Sequence, residues 1–314
     1  MRLARQLVNL LREDLHPDTE RGKMVRSAAM TASMNIGATL LAFGASLLYA
    51  RALGPHDYGL YAYVIAWTAV LGVPAGLGLP RYLVREGVKL PQSTQWLCRW
   101  ADRKIMIAGL MTAILLASAA LIPAAAGARW LFVIAAPLPL LNNLGSVRRA
   151  LLQAHGWIAR SQWPFLILSP ALMLVIFMFL WLLQGRLYPI ELVIVLVIAT
   201  LPSLLANQIQ LRRAAPDSDN PPQSTIGIRA ALPFMWLGGL YLLNNRVDLI
   251  MLGSLKGARD AGIYAVAYRA AALVPLIAAA ANMALAPRIV RLYQAKDHLR
   301  LQQMITAAAR RVLI

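Results

Sequence analysis

Arg246, Asp248 and Arg269 stand inside stretches of chain that are otherwise apolar. A charge at the centre of a bilayer costs about 2.5–3.5 kcal/mol on insertion scales, so such residues are expected to face a hydrated cavity or a partner. Arg246 and Asp248 are two positions apart and point to different faces of a regular helix. Arg269 is the better partner. Asp248 lies ~7 Å before the end of its apolar stretch and Arg269 ~10 Å after the start of the next, at the helical rise per residue. A short loop joins the two stretches, so the depths nearly match. The pattern predicts an Asp248–Arg269 pair that leaves Arg246 to face the cavity. The competing reading is that all three snorkel to the headgroups.

Other chemistry is sparse. There is no phosphate-cradling Gly-Lys-Ser/Thr loop and no paired-histidine metal signature. His16, His56, His155 and His298 are scattered outside the apolar stretches. Cys98 is the only cysteine, so no intrachain disulfide can form, and it reads as a small buried residue. Neither an enzyme nor a cofactor is expected.

The elements that must position the three charges follow from composition. Of 314 residues 59% are hydrophobic and 14% charged, yet the net charge is +18. A soluble globular enzyme, a disordered basic tail and a secreted disulfide scaffold are all excluded. Eight stretches approach the roughly 20 apolar residues that cross a bilayer: Ser27–Ala50, Tyr58–Leu79, Ile105–Ala126, Trp130–Ser146, Trp163–Leu183, Tyr188–Leu211, Ile228–Gly253 and Gly262–Ala286. The fourth is interrupted by Pro137, Pro139, Asn142 and Asn143; neighbouring helices can satisfy the backbone groups that such prolines free. Residues 1–26 mix acids with bases and close no short apolar region with a cleavage site, so they read as a tail rather than a signal peptide.

With these spans, 24 of the 31 bases fall on one side, five on the other, and Arg246 and Arg269 inside. The positive-inside rule puts the N-terminus and the long loops in the cytoplasm. The basic charge is thereby topology, and nucleic acid is not expected as a partner. Arg81–Lys104 and Arg288–Arg311 read as interfacial segments lying on anionic lipid.

The chain also repeats itself. Asp57–Ala62 matches Asp260–Ala265 at an offset of 203, and Ala101–Ile107 matches Ala308–Ile314 at an offset of 207. Six spans separate equivalent positions, so the copies run in the same direction, as a parallel repeat about the membrane normal. The expected fold class is an all-α polytopic membrane protein with about eight transmembrane helices, a repeat of six-helix bundles whose second copy is incomplete. The expected organisation is a tail (1–26), a first bundle (27–213), a linker (214–226) containing Pro221-Pro222, and the start of a second bundle (227–314). Ile314 aligns with the start of a third span, so the sequence reads as a fragment lacking roughly 100 or more residues, four spans and their loops.

The repeated residues carry a family likeness. Ala50–Tyr61, with Gly76-Leu77-Gly78-Leu79-Pro80 and Arg85-Glu86 after it, resembles the start of polysaccharide-biosynthesis membrane proteins. These are the lipid-linked oligosaccharide flippases of the multidrug/oligosaccharidyl-lipid/polysaccharide exporter superfamily. Arg246–Gly253 and Ala261–Arg269 resemble that family's seventh and eighth helices. The resemblance covers most of the chain. It implies translocation of a polyprenyl-pyrophosphate-linked oligosaccharide across the bacterial inner membrane by alternating access. Membrane lipids and other polysaccharide-assembly membrane proteins are its expected partners.

In that setting Arg246 and Arg269 become phosphate ligands, since a guanidinium binds phosphate oxygens bidentately and keeps its charge when partly desolvated. Asn35, Asn142, Asn143, Asn207, Gln208, Asn244, Asn245 and Asn282 become candidates for sugar hydroxyls, against interhelical hydrogen bonding worth ~0.6 kcal/mol each. Trp67 and Trp236 could stack on sugars, with packing or lipid contact the competing use. A drug or cation antiporter of the same superfamily, a membrane polymerase or ligase, and a non-functional remnant are the alternatives. Several arginines in a cavity disfavour the antiporter, and short, nearly uncharged external loops disfavour the polymerase.

Overall fold

In the computed structural model the described residues are 20–118, 127–216, 220–222, 226–275, 302 and 306, with side chains described from residue 30. Every regular element among them is helical. Two compact units are present. The smaller combines the chain up to Phe43 with residues from Ala267 onward, and the larger is Gly44–Val266.

Helix α1 runs over Glu20–Gly76, but Gly54 breaks it with φ 79° and ψ 167°. The stretch Met30–Gly76 has 47 residues. At the helical rise it would extend ~70 Å, more than twice the hydrocarbon thickness, so it comprises two spans. The loop expected between them is thus reduced to a break at one glycine, whose left-handed φ a side chain would disfavour. Helix α2 (Leu79–Lys89) comes next, then a short 3-10 turn at Pro91–Ser93 and α3 (Thr94–Ser118). The chain continues through α4 (Arg129–Ala135), α5 (Leu138–Ala154), α6 (Ile158–Trp163), a π-helical segment Pro164–Leu168 and α7 (Ser169–Gln184). Helices α8 (Pro189–Ala214), α9 (Leu232–Leu255) and α10 (Ala258–Ala271) complete the set.

Besides Met30–Gly76, three described stretches are long and apolar enough to cross a membrane: Arg129–Ala154, Ile158–Gln184 and Pro189–Ala214. They contain the expected fourth and fifth spans and all of the sixth except Tyr188, which caps the helix. The expected third lies in α3 up to Ser118, and the eighth in α10 and the residues after it that are not described. The seventh, α9, falls short because Asn244, Asn245, Arg246 and Asp248 interrupt its apolar character.

Packing in the larger unit is that of helices in lipid. Small and aliphatic side chains meet inside: Val64, Ala66, Leu79, Leu83, Leu97, Ile105, Val147 and Leu151 are fully buried. Large apolar ones point outward, including Met111, Ile114, Phe179 and Leu182. Water would penalise such a belt, whereas hydrocarbon accepts it.

The expected interruption of the fourth span is real and is repaired locally. The helix breaks between α4 and α5 at Ala136–Pro137. Asn143 Nδ2 donates to the Pro139 carbonyl and to the Gly72 carbonyl of α1, both at 2.8 Å. A Cβ on Gly76 would collide with the Asn143 side chain, which explains a glycine at that contact. Gly78 has φ 69°, and its missing Cβ leaves room for the Ala231–Met235 backbone. The Pro164 carbonyl, which accepts from the Ser169 backbone N–H, also accepts from Ser203 Oγ at 2.7 Å. Glu191 caps α8: its Oε2 accepts from the Tyr188 backbone N–H at 2.9 Å, on the first turn where a carboxylate is favoured.

The internal repeat is visible in the backbone. Gly257 (φ 97°) is the counterpart of Gly54 at the offset of 203, and it too separates two helices. Gly59 and Gly262, also 203 apart, lie against one another. A Cβ on Gly59 would strike the Ala258 carbonyl and Gly262 N; a Cβ on Gly262 would strike the Pro55 carbonyl and Gly59 N. Pro55 and Ala258 are themselves equivalent. Each copy therefore meets the other with the same atoms, as a two-fold relation requires.

Candidate functional site

A cavity of about 370 Å³ opens at the α2 end of the larger unit, between the second segment of α1, α5 and α9. Its wall along α1 is made narrow-sided by Gly72 and Gly76, and the chain then turns at Gly78-Leu79-Pro80 to bring Arg81 to the rim. Helix α5 contributes Asn142, Asn143 and Ser146; α9 contributes Phe234, Gly238 and Tyr241. Among the described residues no carboxylate lines the space, so Arg81 gives it a positive potential.

Most of the neutral groups are already engaged. The Asn143 amide N–H groups bond to the Gly72 and Pro139 carbonyls. Thr68 Oγ1 donates to the Ile65 carbonyl at 2.8 Å and Ser146 Oγ to the Asn142 carbonyl at 2.7 Å. Ser146 Oγ in turn accepts from Arg149 at 2.6 Å, and the Arg149 guanidinium lies 4.2 Å over the Phe165 ring. A second cation thus stands directly behind the cavity wall, held by a cation–π contact. Arg81, at the rim, is exposed.

Two acids on the neighbouring helices are held by bases of their own. Glu86, buried on α2, accepts from Arg85 Nε at 2.9 Å and Lys89 Nζ at 3.2 Å. Asp102 on α3 takes a bidentate bond from Arg148 on α5, at 2.6 and 2.7 Å, while Arg148 Nε donates to Gln208 Oε1 on α8 at 2.8 Å. This clamp ties three helices together, which gives Gln208 a structural partner. Cys98 is buried one turn before Asp102, and burial pushes its thiol up to about 12.

The predicted site residues divide. Asn142 and Asn143 line the cavity. Asn244, Asn245, Arg246 and Asp248 lie one to two turns further along α9 from Tyr241. Asn245 Nδ2 donates to the Tyr241 carbonyl at 2.6 Å, and Asp248 Oδ2 accepts from Tyr264 Oη at 3.1 Å. Asn35 belongs to the smaller unit and donates to the Thr31 carbonyl at 2.9 Å. Arg269 also belongs to that unit, and Asn282 lies outside the described residues. Asn207 is fully buried and its amide has no hydrogen-bond partner among the described residues. Trp67 lines a different pocket, and Trp236 is exposed on the outer face of α9.

Sequence reasoning misses Arg81, Tyr241 and the supporting Arg149. Arg81 falls among the bases that fix topology. The signal that singles it out is its place immediately after Gly78-Leu79-Pro80, a turn that re-aims the chain.

An all-α bundle with apolar outer faces and helices long enough to cross a membrane defines a polytopic membrane protein. The chain belongs to the polysaccharide biosynthesis protein family, whose model matches residues 24–293. No curated protein and no solved structure matches it.

Proposed function

We propose that the protein flips a polyprenyl-pyrophosphate-linked oligosaccharide across the inner membrane for surface polysaccharide assembly, without catalysing a chemical step. The observation that carries this reading is the cavity at the α2 end, with Arg81 at its rim, neutral amide and hydroxyl groups inside and no acid among the described residues that line it. A pyrophosphate needs a cationic, hydrated site to leave the headgroup region, and a guanidinium meets its oxygens through two parallel bonds. The same positive potential opposes a hydrophobic cation as substrate.

In this reading the α2 end faces the cytoplasm with the N-terminus, and 27–213 and 227–314 belong to two bundles joined by the linker 214–226. Arg81 receives the headgroup. Arg246, with Asn244, Asn245 and Asp248, serves a deeper stage. Rocking of the bundles then changes the side on which the path opens.

Removal of the protein is expected to leave lipid-linked oligosaccharide accumulating on the cytoplasmic face. If none accumulates, the reading fails. Arg81→Gln is expected to reduce flipping about tenfold, the loss of one charge-assisted bidentate contact of roughly 1.5 kcal/mol.

A further inference from the structure

A cleft of about 830 Å³ lies at the corner where α2 gives way to α3. One wall is Lys89, Pro91 and Gln92; the other is Asn220, Pro221 and Pro222 of the linker. One face of α2 ties this cleft to the basic cavity. Arg81, Arg85 and Lys89 are all exposed and recur every four residues, so they form a single stripe along the helix. Arg81 lines the cavity and Lys89 lines the cleft. The helix rises ~12 Å between them. The pull on an anion is stronger at the Arg81 end. Buried Glu86 accepts from Arg85 Nε at 2.9 Å and from Lys89 Nζ at 3.2 Å, whereas no carboxylate among the described residues lines the cavity at Arg81.

The polar groups of the cleft are free where most of those in the cavity are engaged. Neither the Gln92 nor the Asn220 amide makes a hydrogen bond among the described residues, and both side chains are exposed. Each amide pairs a donor with an acceptor, as a sugar hydroxyl does. The three prolines have a fixed φ and present apolar rings. Apolar walls with a few convergent polar groups suit the C–H face and hydroxyl edge of a pyranose. The walls are also held in place. Ser93 N–H donates to the Leu90 carbonyl at 3.0 Å and Thr94 Oγ1 to the Pro91 carbonyl at 2.9 Å, which closes the corner. Gln95 Nε2 donates to the Ala215 carbonyl at 3.1 Å, where α8 passes into the linker. The start of α3 therefore carries one wall and anchors the root of the other. A site set in advance loses less order on binding.

We propose that this cleft is a saccharide subsite, holding the outer sugars of the lipid-linked oligosaccharide while its pyrophosphate lies at Arg81. The inference rests on the flippase reading of the basic cavity. In that reading the α2 end faces the cytoplasm, the side on which the sugars lie before translocation. A sugar chain anchored at Arg81 and following the stripe reaches the cleft after ~12 Å. A single sugar falls short of it and a longer chain arrives. The cleft thereby makes the length of the sugar chain part of what the protein selects.

The test uses the full chain in lipid nanodiscs of phosphatidylethanolamine and phosphatidylglycerol, with two probes. One is the lipid-linked oligosaccharide extracted from cells lacking the protein. The other is the same lipid trimmed by exoglycosidases to its first sugar. Dissociation constants are measured for both. The intact lipid is expected to bind about tenfold more tightly, as two further hydrogen bonds would give. Gln92→Ala combined with Asn220→Ala is expected to remove that advantage and to leave the affinity for the trimmed lipid unchanged. Both side chains are exposed, so the fold does not depend on them.

Equal affinity for the two lipids, or an advantage that survives the double change, overturns the inference. So does a double variant that weakens both lipids alike. The two readings separate through Arg81→Gln, which should weaken both lipids by the same factor. If it does so while the amide changes leave the length preference intact, only the cleft is wrong. If neither lipid responds to Arg81, or if cells lacking the protein accumulate no such lipid, the flippase reading falls and the saccharide subsite falls with it.

Discussion

The two copies of the repeat share a turn and differ in the helix that leads into it. Gly54 and Gly257 both carry a left-handed φ, and Gly59 and Gly262 press against each other with equivalent atoms. Tyr61 and Tyr264 also correspond. Yet where the second copy has Asn244, Asn245, Arg246 and Asp248, the same offset in the first copy finds Leu41, Ala42, Phe43 and Ala45. One apolar version and one polar version of the same helix thus enter matching turns. The glycines recur in both copies, whereas the polar set occurs in one. Residues that only one copy carries, at a cost in lipid, are the candidates for function.

The largest effect is expected where the copies touch. Gly59→Val or Gly262→Val would drive a branched side chain into backbone atoms that have no rotamer to yield, costing about 3 kcal/mol. Gly44→Ala is the control. A Cβ there meets nothing within 4 Å, and the change is expected to be neutral or to stabilise the helix by about 0.5–1 kcal/mol. Cys98 supplies the measurement. It is the only cysteine and is buried, so a thiol-reactive dye added during heating reports unfolding. Equal labelling midpoints for the Gly59 variant and the control would break the two-fold contact. Grafting the polar version onto the first copy, with Ala45→Asp, should cost about 2.5–3.5 kcal/mol. Ala45 is buried against Tyr49 and Phe177, so a carboxylate there is desolvated. Smaller and matched in both copies is the penalty for Gly54→Ala and Gly257→Ala, about 1–2 kcal/mol each for a left-handed residue with a Cβ. Unequal penalties would show that the turns are alike in backbone but not in load.

Much of this architecture is legible in the sequence because it is local. Apolar length marks spans, and Gly-x-Tyr-Ala at a fixed offset marks the repeat. The prolines beside Asn142 and Asn143 mark a broken helix in need of side-chain donors, which Asn143 supplies. The site is less legible. Spacing tells which face of a helix a residue occupies, not which helix it meets. Asp102 and Arg148 are 46 positions apart, and their pairing is set only by the packing of α3 on α5. In sequence Arg149 is one more cytoplasmic base; the Phe165 ring beneath it is a tertiary contact that no local pattern announces. Arg81 is hidden for the opposite reason: charge asymmetry accounts for it so completely that its turn, fixed by Gly78, carries no separate weight.

The smallest expected effect on stability is also the most discriminating for the comparison. If the polar set of the second copy serves function alone, Asp248→Asn and Tyr264→Phe should each move the Cys98 labelling midpoint by no more than the equivalent of ~0.6 kcal/mol, the worth of a hydrogen bond between membrane helices. Asp248 is exposed on α9, and its bond from Tyr264 is at 3.1 Å, so little packing depends on either. Flipping, in contrast, should fall with Asp248→Asn and stay near normal with Tyr264→Phe, because the first removes a charge and the second only a donor. A shift in midpoint as large as that for Ala45→Asp would mean that Asp248 holds α9 to α10. The asymmetry between the copies would then be structural, and the functional assignment would pass to Arg81 and the cavity alone.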